Sequence, residues 1–147
     1  MNLKLTHLVD LPAIEVEIKY PEMNRTVEQL IRRVESVNHV IIGNDNGRQY
    51  RILYEDILYI ESMEKRTLIY TASQVFRSEQ KLYQLLDELK PFDFVQISKA
   101  CILNINVVES FQALANSRIE VTLQDGEKLN VSRKYLSDIK RALSGEE

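Results

Sequence analysis

The chain has 147 residues, 44% of them hydrophobic and 28% charged, with a formal net charge of −3. These values fit one domain, or one domain with a short appendage, and allow a sizeable core. No stretch is apolar for long enough to span a membrane, no apolar signal region opens the chain, and the single cysteine, Cys101, excludes an intrachain disulfide framework and suits a reducing cytoplasm.

"AIEVEIKY", residues 13–20, alternates Ile14, Val16 and Ile18 with Glu15, Glu17 and Lys19, which predicts a half-buried strand ended by Pro21. Over residues 24–37, Val27, Leu30, Ile31, Val34 and Val37 share one helical face. Asn24 or Thr26 can cap that helix, and Thr26 with Gln29 has capping-box spacing. "HVIIGNDNGRQYRIL" predicts a hairpin around a Gly-Asn-Asp-Asn-Gly turn. "DILYIESMEKRTLIYTA" predicts a second, turning at Glu64-Lys65-Arg66, and residues 74–77 a short strand.

A second helix is expected over residues 79–90. Leu82, Leu85, Leu86 and Leu89 form its stripe, Ser78 caps it and Pro91 follows it. "FVQISKACILNINVVES" holds one or two strands, interrupted by Ser98-Lys99. "SRIEVTLQDGEKLNVS" predicts a hairpin turning at Asp125-Gly126, followed by a short helix on Tyr135, Leu136, Ile139 and Leu143. The class is mainly β with flanking helices (α+β), and the lack of βαβ alternation argues against a doubly wound parallel fold.

Catalysis finds no support. There is no glycine-rich phosphate loop, no G-x-S-x-G, no H-E-x-x-H and no C-x-x-C. Glu55 and Asp56 are adjacent, so on a strand they face opposite ways and make no acid/base pair. Cys101 sits among Ala100, Ile102 and Leu103 as a buried structural thiol. His7 and His39 are far apart, so no catalytic residue, metal site or cofactor is expected.

Charge is distributed unevenly. Residues 1–61 hold seven Lys/Arg against ten Asp/Glu, and residues 62–143 hold twelve against ten. Three segments set basic and hydrogen-bonding side chains at the ends of apolar strands: residues 63–67, 96–99 and 132–134. They read either as a nucleic-acid rim, with Arg on guanine or phosphate and Lys on phosphate, or as turns with solvated charges.

"YEDILYIES" with a basic turn, then F-x-x-I-S-K-x-x-I-x-N beginning at Phe94, then V-S-R-K-Y-L beginning at Val131, resembles the LytTR DNA-binding domain of bacterial transcriptional regulators. The resemblance covers residues 41–143. It implies small antiparallel sheets with two or three helices, and loops that enter successive major grooves. Lys65, Arg66 and Thr67 match the first DNA-contacting loop, and Ser98 and Lys99 the second contacting pair. Arg133 matches a base-probing arginine, with Lys134 beside it on phosphate. Lys99 would then be the exposed tip of a segment anchored by Ile97 and Ile102. Asn104 matches an asparagine that ties down local backbone. Gln96, Ser98 and Ala100 depart from the frequent Arg, His and Ser, which affects target and affinity.

The expected organisation is an N-terminal strand-helix extension, 1–40, and a DNA-binding domain, 41–147. The extension is too short for a receiver domain, so the chain resembles stand-alone members rather than two-component response regulators. It would be a docking or dimerisation surface, or the cover of a sheet edge. The resemblance implies a cytoplasmic regulator bound to double-stranded DNA as a homodimer on repeated half-sites, with a possible inhibitory membrane protein partner. The alternative is a protein-interaction module of the same fold that does not bind DNA.

Overall fold

In the computed structural model, residues 1–144 are described. Residues 1–24 form neither helix nor strand, and lead into α1 (Arg25–Ser36). Asn24 caps α1, its Oδ1 accepting from the Val27 N–H at 3.0 Å. Strands β1 (Val40–Asp45), β2 (Arg48–Leu53), β3 (Ile57–Met63), β4 (Arg66–Thr71) and β5 (Val75–Ser78) precede α2 (Leu82–Leu89). Then come β6 (Phe94–Ser98), β7 (Cys101–Asn104), β8 (Val108–Leu114), β9 (Arg118–Leu123), β10 (Lys128–Val131) and α3 (Leu136–Ser144). The expected mainly-β class with flanking helices is the one observed.

The strands make two antiparallel sheets: seven strands in the order β2-β1-β5-β4-β3-β7-β6, and three in the order β10-β9-β8. Alternation divides the large sheet's apolar residues between its faces. On one face Ile41, Ile52, Ile60, Ile69 and Ile102 pack with Leu85 and Leu89 of α2. On the other, Tyr59, Ile97 and Leu103 pack with Val121 and Leu123 of the small sheet and Ile139 of α3. The two sheets are also fastened by hydrogen bonds. Tyr59 Oη donates to Glu127 Oε1 at 2.6 Å, and the Ser132 N–H donates to the Ile97 carbonyl at 2.8 Å.

Three expectations need correction. Residues 13–20 do not form the predicted half-buried strand: Ile14 is 94% exposed and Val16 61%. Their alternation is suited to a sheet, but a strand requires a neighbour for its N–H and C=O groups, and none of the described residues supplies one. Ser78 does not cap α2. It is the buried last residue of β5, and its Oγ accepts from the Gln80 N–H at 3.0 Å. The helix starts later, where Gln84 Oε1 accepts from the Lys81 N–H at 2.8 Å. The first hairpin turns on Asn46-Gly47 alone, both left-handed with φ of 49° and 80°. Gly43 lies inside β1, where a Cβ would meet Ile52 Cδ1 at 2.5 Å and Phe76 Cβ at 2.7 Å.

Candidate nucleic-acid interface

Sheet register decides which loops become neighbours. In β3 and β7, Glu61 pairs with Cys101, so the β3–β4 turn and the β6–β7 turn emerge at one edge. The Ser62 N–H donates to the Ala100 carbonyl at 2.8 Å and joins them. The Ser132–Ile97 bond places the segment after β10 next to the end of β6. Arg133 Nη2 donates to the Asn116 carbonyl at 3.3 Å, which adds the β8–β9 loop. Four segments distant in sequence thus form one continuous rim.

The β3–β4 turn has Met63 paired with Arg66 and two residues between, Glu64 and Lys65, at φ of 50° and 66°. Left-handed backbone favours glycine or asparagine, as at Asn46-Gly47. Here the tip carries two charged side chains instead, accepting backbone strain to present them. Lys65 and Arg66 are exposed, whereas Thr67 is 7% exposed and pairs with Ser78 inside the sheet. Thr67 therefore sits behind the rim, with little surface to offer.

At the β6–β7 turn, Ile97 is 1% exposed and Ile102 is fully buried, while Lys99 between them is exposed. Ser98 Oγ accepts from the Ala100 N–H at 3.2 Å, and Gln96 Nε2 donates to the Lys99 carbonyl at 3.4 Å. Gln96, a departure from the family pattern, is thus used to hold the turn. A charged side chain interrupts the apolar run because the run is a hairpin with Lys99 at its tip. Asn104 is 2% exposed. It donates to the Ile57 carbonyl at 2.8 Å and accepts from the Asn106 N–H at 3.0 Å, a structural role.

Arg133 and Lys134 lie in one helical turn, residues 133–135, between β10 and α3. Lys134 Nζ stands 5.7 Å from the Tyr135 ring centre. Arg133 forms no ion pair with Glu127 or Asp138; its hydrogen bond goes to Asn116, and Glu127 accepts from Tyr59. Beside Arg133 is an open depression of about 620 Å³ lined by Asn116, Arg118, Asn130, Val131, Ser132 and Arg133. Arg118 escaped sequence reasoning. The signal was "ANSR", whose Asn116 and Ser117 take left-handed backbone at φ of 64° and 55°.

The electrostatic outcome is local. Residues 64–66, 98–100, 115–118 and 132–134 hold six basic side chains and one acid, Glu64, in a chain of net charge −3. Burial, reinforced by Glu61 and Glu127, pushes the Cys101 thiol up to about 12, so beneath this rim it stays a neutral thiol rather than a nucleophile. Among the described residues no group of His, Cys, Asp and Glu could hold a metal ion, and no helix is long and apolar enough to cross a membrane.

The LytTr DNA-binding domain model matches residues 47–144. An HTH-type transcriptional regulator of Staphylococcus aureus strain NCTC 8325 / PS 47 is 30% identical over 131 residues, covering 88% of each chain, and that of strain MRSA252 is 29% identical over the same span. A solved Bacillus cereus LytTr DNA-binding domain superposes with a TM-score of 0.65 at 21% identity, covering 71% of this chain and 95% of that one. Strands separate each of the three described α-helices from the next, so the rim is made of the segments that connect strands and not of two consecutive α-helices.

Proposed function

The chain belongs to the LytTr DNA-binding domain family, and from that premise we propose that it regulates transcription by binding double-stranded DNA through the turn-built rim. One observation carries the reading. Six cations from four separate segments converge on one edge of an acidic protein. A polyanion is the partner that such an edge fits.

In this reading Lys65, Arg66, Lys99 and Arg133 are the reaching side chains. Lys134 and Arg118 neutralise phosphate, Ser98 shapes the second tip and Thr67 fixes the first from behind. Residues 41–147 make the DNA-binding domain and residues 1–40 an extension that serves assembly or docking. The protein works in the cytoplasm as a pair of protomers on repeated half-sites. A membrane protein that restrains it is compatible with the exposed extension. Arg133 on guanine supplies base discrimination through two parallel N–H donors, and the lysines supply affinity.

A salt titration of binding to operator duplex tests the proposal. Each phosphate neutralised releases condensed counterion, so the six cations of one protomer allow a log–log slope of at most about −5 on a single half-site, and a pair of protomers on the full operator about twice that. Binding that ignores salt, or is absent at low salt, would defeat it and leave an interaction module of the same fold.

A further inference from the structure

Residues of α1, of α3 and of β6, the last strand of the large sheet, line a half-open cleft of about 510 Å³. Arg25, Gln29 and Arg32 recur at helical spacing, so one polar face of α1 forms a wall. Asp138, Arg141 and Ala142 contribute the wall from α3. Between them Leu86, Phe94, Val95 and Ile105 supply apolar surface.

A helix on a domain surface ordinarily turns its charged face to water. Here α1 turns charge toward the domain and is fastened in that position. Arg25 Nη2 donates to the Ala142 carbonyl at 3.3 Å, and Arg32 Nε donates to Asp93 Oδ1 at 3.0 Å. Arg33 Nη2 adds a third bond, to Asn106 Oδ1 at 2.9 Å. The cleft is therefore built into the fold, and its volume falls within the roughly 300–1,000 Å³ of small-molecule sites.

The charge of the lining is selective. Arg25, Arg32, Lys90 and Arg141 stand against Asp93 and Asp138, a positive excess in a chain of net charge −3. Asp93 is taken by Arg32, whereas neither Lys90 nor Arg141 forms an ion pair with a described residue. Apolar surface bordered by surplus cations complements a molecule with an apolar body and one anionic group, for which guanidinium and ammonium supply charge-assisted hydrogen bonds.

We propose that this cleft is a binding site for a small organic anion with an aromatic or branched apolar body. The anionic group lies against Lys90 and Arg141, and the body against Val95 and Ile105. The extension thus has a role within its own chain, since α1 supplies one wall of the site. The inference goes beyond the DNA reading and requires no DNA contact.

Methyl NMR of the full chain without DNA provides the test. The probe is 2-naphthoate, and 2-naphthamide presents the same body without the charge. Naphthoate should bind at about 0.1–1 mM, the range for a ligand of this size, and shift the methyls of Leu86, Val95, Ile105 and Ala142 together. The amide should bind at least about fivefold more weakly. Lys90→Gln with Arg141→Gln, both at exposed positions, should weaken naphthoate by at least about fivefold and leave the melting temperature unchanged. The proposal is overturned by no shift up to about 5 mM, or by shifts confined to exposed methyls elsewhere, such as those of Leu3 and Val16. Equal binding of acid and amide, or a double variant that binds as tightly as wild type, would overturn it as well. The salt titration reads DNA binding separately, so either reading can fail alone.

Discussion

The Ser62 N–H lies 2.8 Å from the Ala100 carbonyl, and through that bond the turn carrying Lys65 and the turn carrying Lys99 share one backbone frame. Substitutions at the two tips therefore test side-chain reach on a common scaffold, with little confusion from loop movement.

Lys99→Ala is expected to leave the melting temperature unchanged, because the side chain is exposed and its backbone is held by Gln96 and Ser98. Operator affinity should fall by about 1–3 kcal/mol if Lys99 reads a base, and unequally across operator variants. Titration against a panel of single-base operators measures this; unchanged affinity throughout would remove Lys99 from the interface.

Arg133→Lys should retain most salt-sensitive binding and lose discrimination between operator and scrambled duplex, since a lysine cannot reproduce a planar two-donor fork. Arg133→Ala should lose both. If Arg133 only straps the β8–β9 loop through Asn116, both variants will melt earlier and keep the specific-to-nonspecific ratio. Melting curves beside that ratio separate the two roles.

Replacing Glu64-Lys65 by Asn-Gly installs the sequence that the chain already uses at Asn46-Gly47. Relief of two left-handed side-chain-bearing residues should raise stability by about 1–2 kcal/mol. The same change deletes Lys65 together with Glu64, the one acid of the rim, so Lys65→Gly alone isolates the cation: with it DNA affinity should drop and the salt slope flatten by about 1. Urea melts and the salt titration read the opposed effects. A stabilised protein with full affinity would exclude the first turn from contact.

Asn104→Ala should destabilise by about 2–3 kcal/mol, because it strips the Ile57 carbonyl of its 2.8 Å donor inside the core. DNA affinity of the folded fraction should be unaltered. A denaturant melt checks the first expectation; a neutral result would mean that water satisfies the carbonyl.

Alkali should destabilise the fold from the pH at which an exposed thiol and phenol begin to ionise. Burial, assisted by Glu88, raises Tyr54 from 10.0 to about 12, and burial with Glu61 and Glu127 raises Cys101 from 9.0 to about 12. Burial and the Glu127 hydrogen bond hold Tyr59 protonated further still. Between about pH 9 and 12 the unfolded chain releases protons that the folded chain keeps, so stability falls as pH rises through that window. Melting temperatures across the range, with ultraviolet titration of the phenols, test the sign. A flat profile would show that these groups are more hydrated than the packing indicates.

Hairpins were legible where turn chemistry is explicit, as at Asn46-Gly47 and Asp125-Gly126, because left-handed backbone restricts the choice of residue. The candidate contact positions were readable one by one, as proposals, from the family pattern. Their union was not: Arg133 meets the β8–β9 loop only through pairings such as Val131 with Ile119 and Leu114 with Arg118, which no local window contains. For the same reason Arg118 was missed. The strand expected at residues 13–20 failed in the opposite direction, since alternation reports suitability for a sheet and says nothing of whether an edge is within reach.

The two sheets are clamped at both ends, by Ser132–Ile97 beside the rim and by Tyr59–Glu127 at the far side. A body pinned twice has no hinge, so the separation between the Lys65 tip and Arg133 behaves as a fixed ruler. Inserting one base pair between the two contacted stretches of a half-site would rotate the second by about a tenth of a turn, and this scaffold has no joint with which to follow it. If the proposed contacts hold, spacing within a half-site should therefore matter as much as the bases themselves, and operators with one inserted base pair test it.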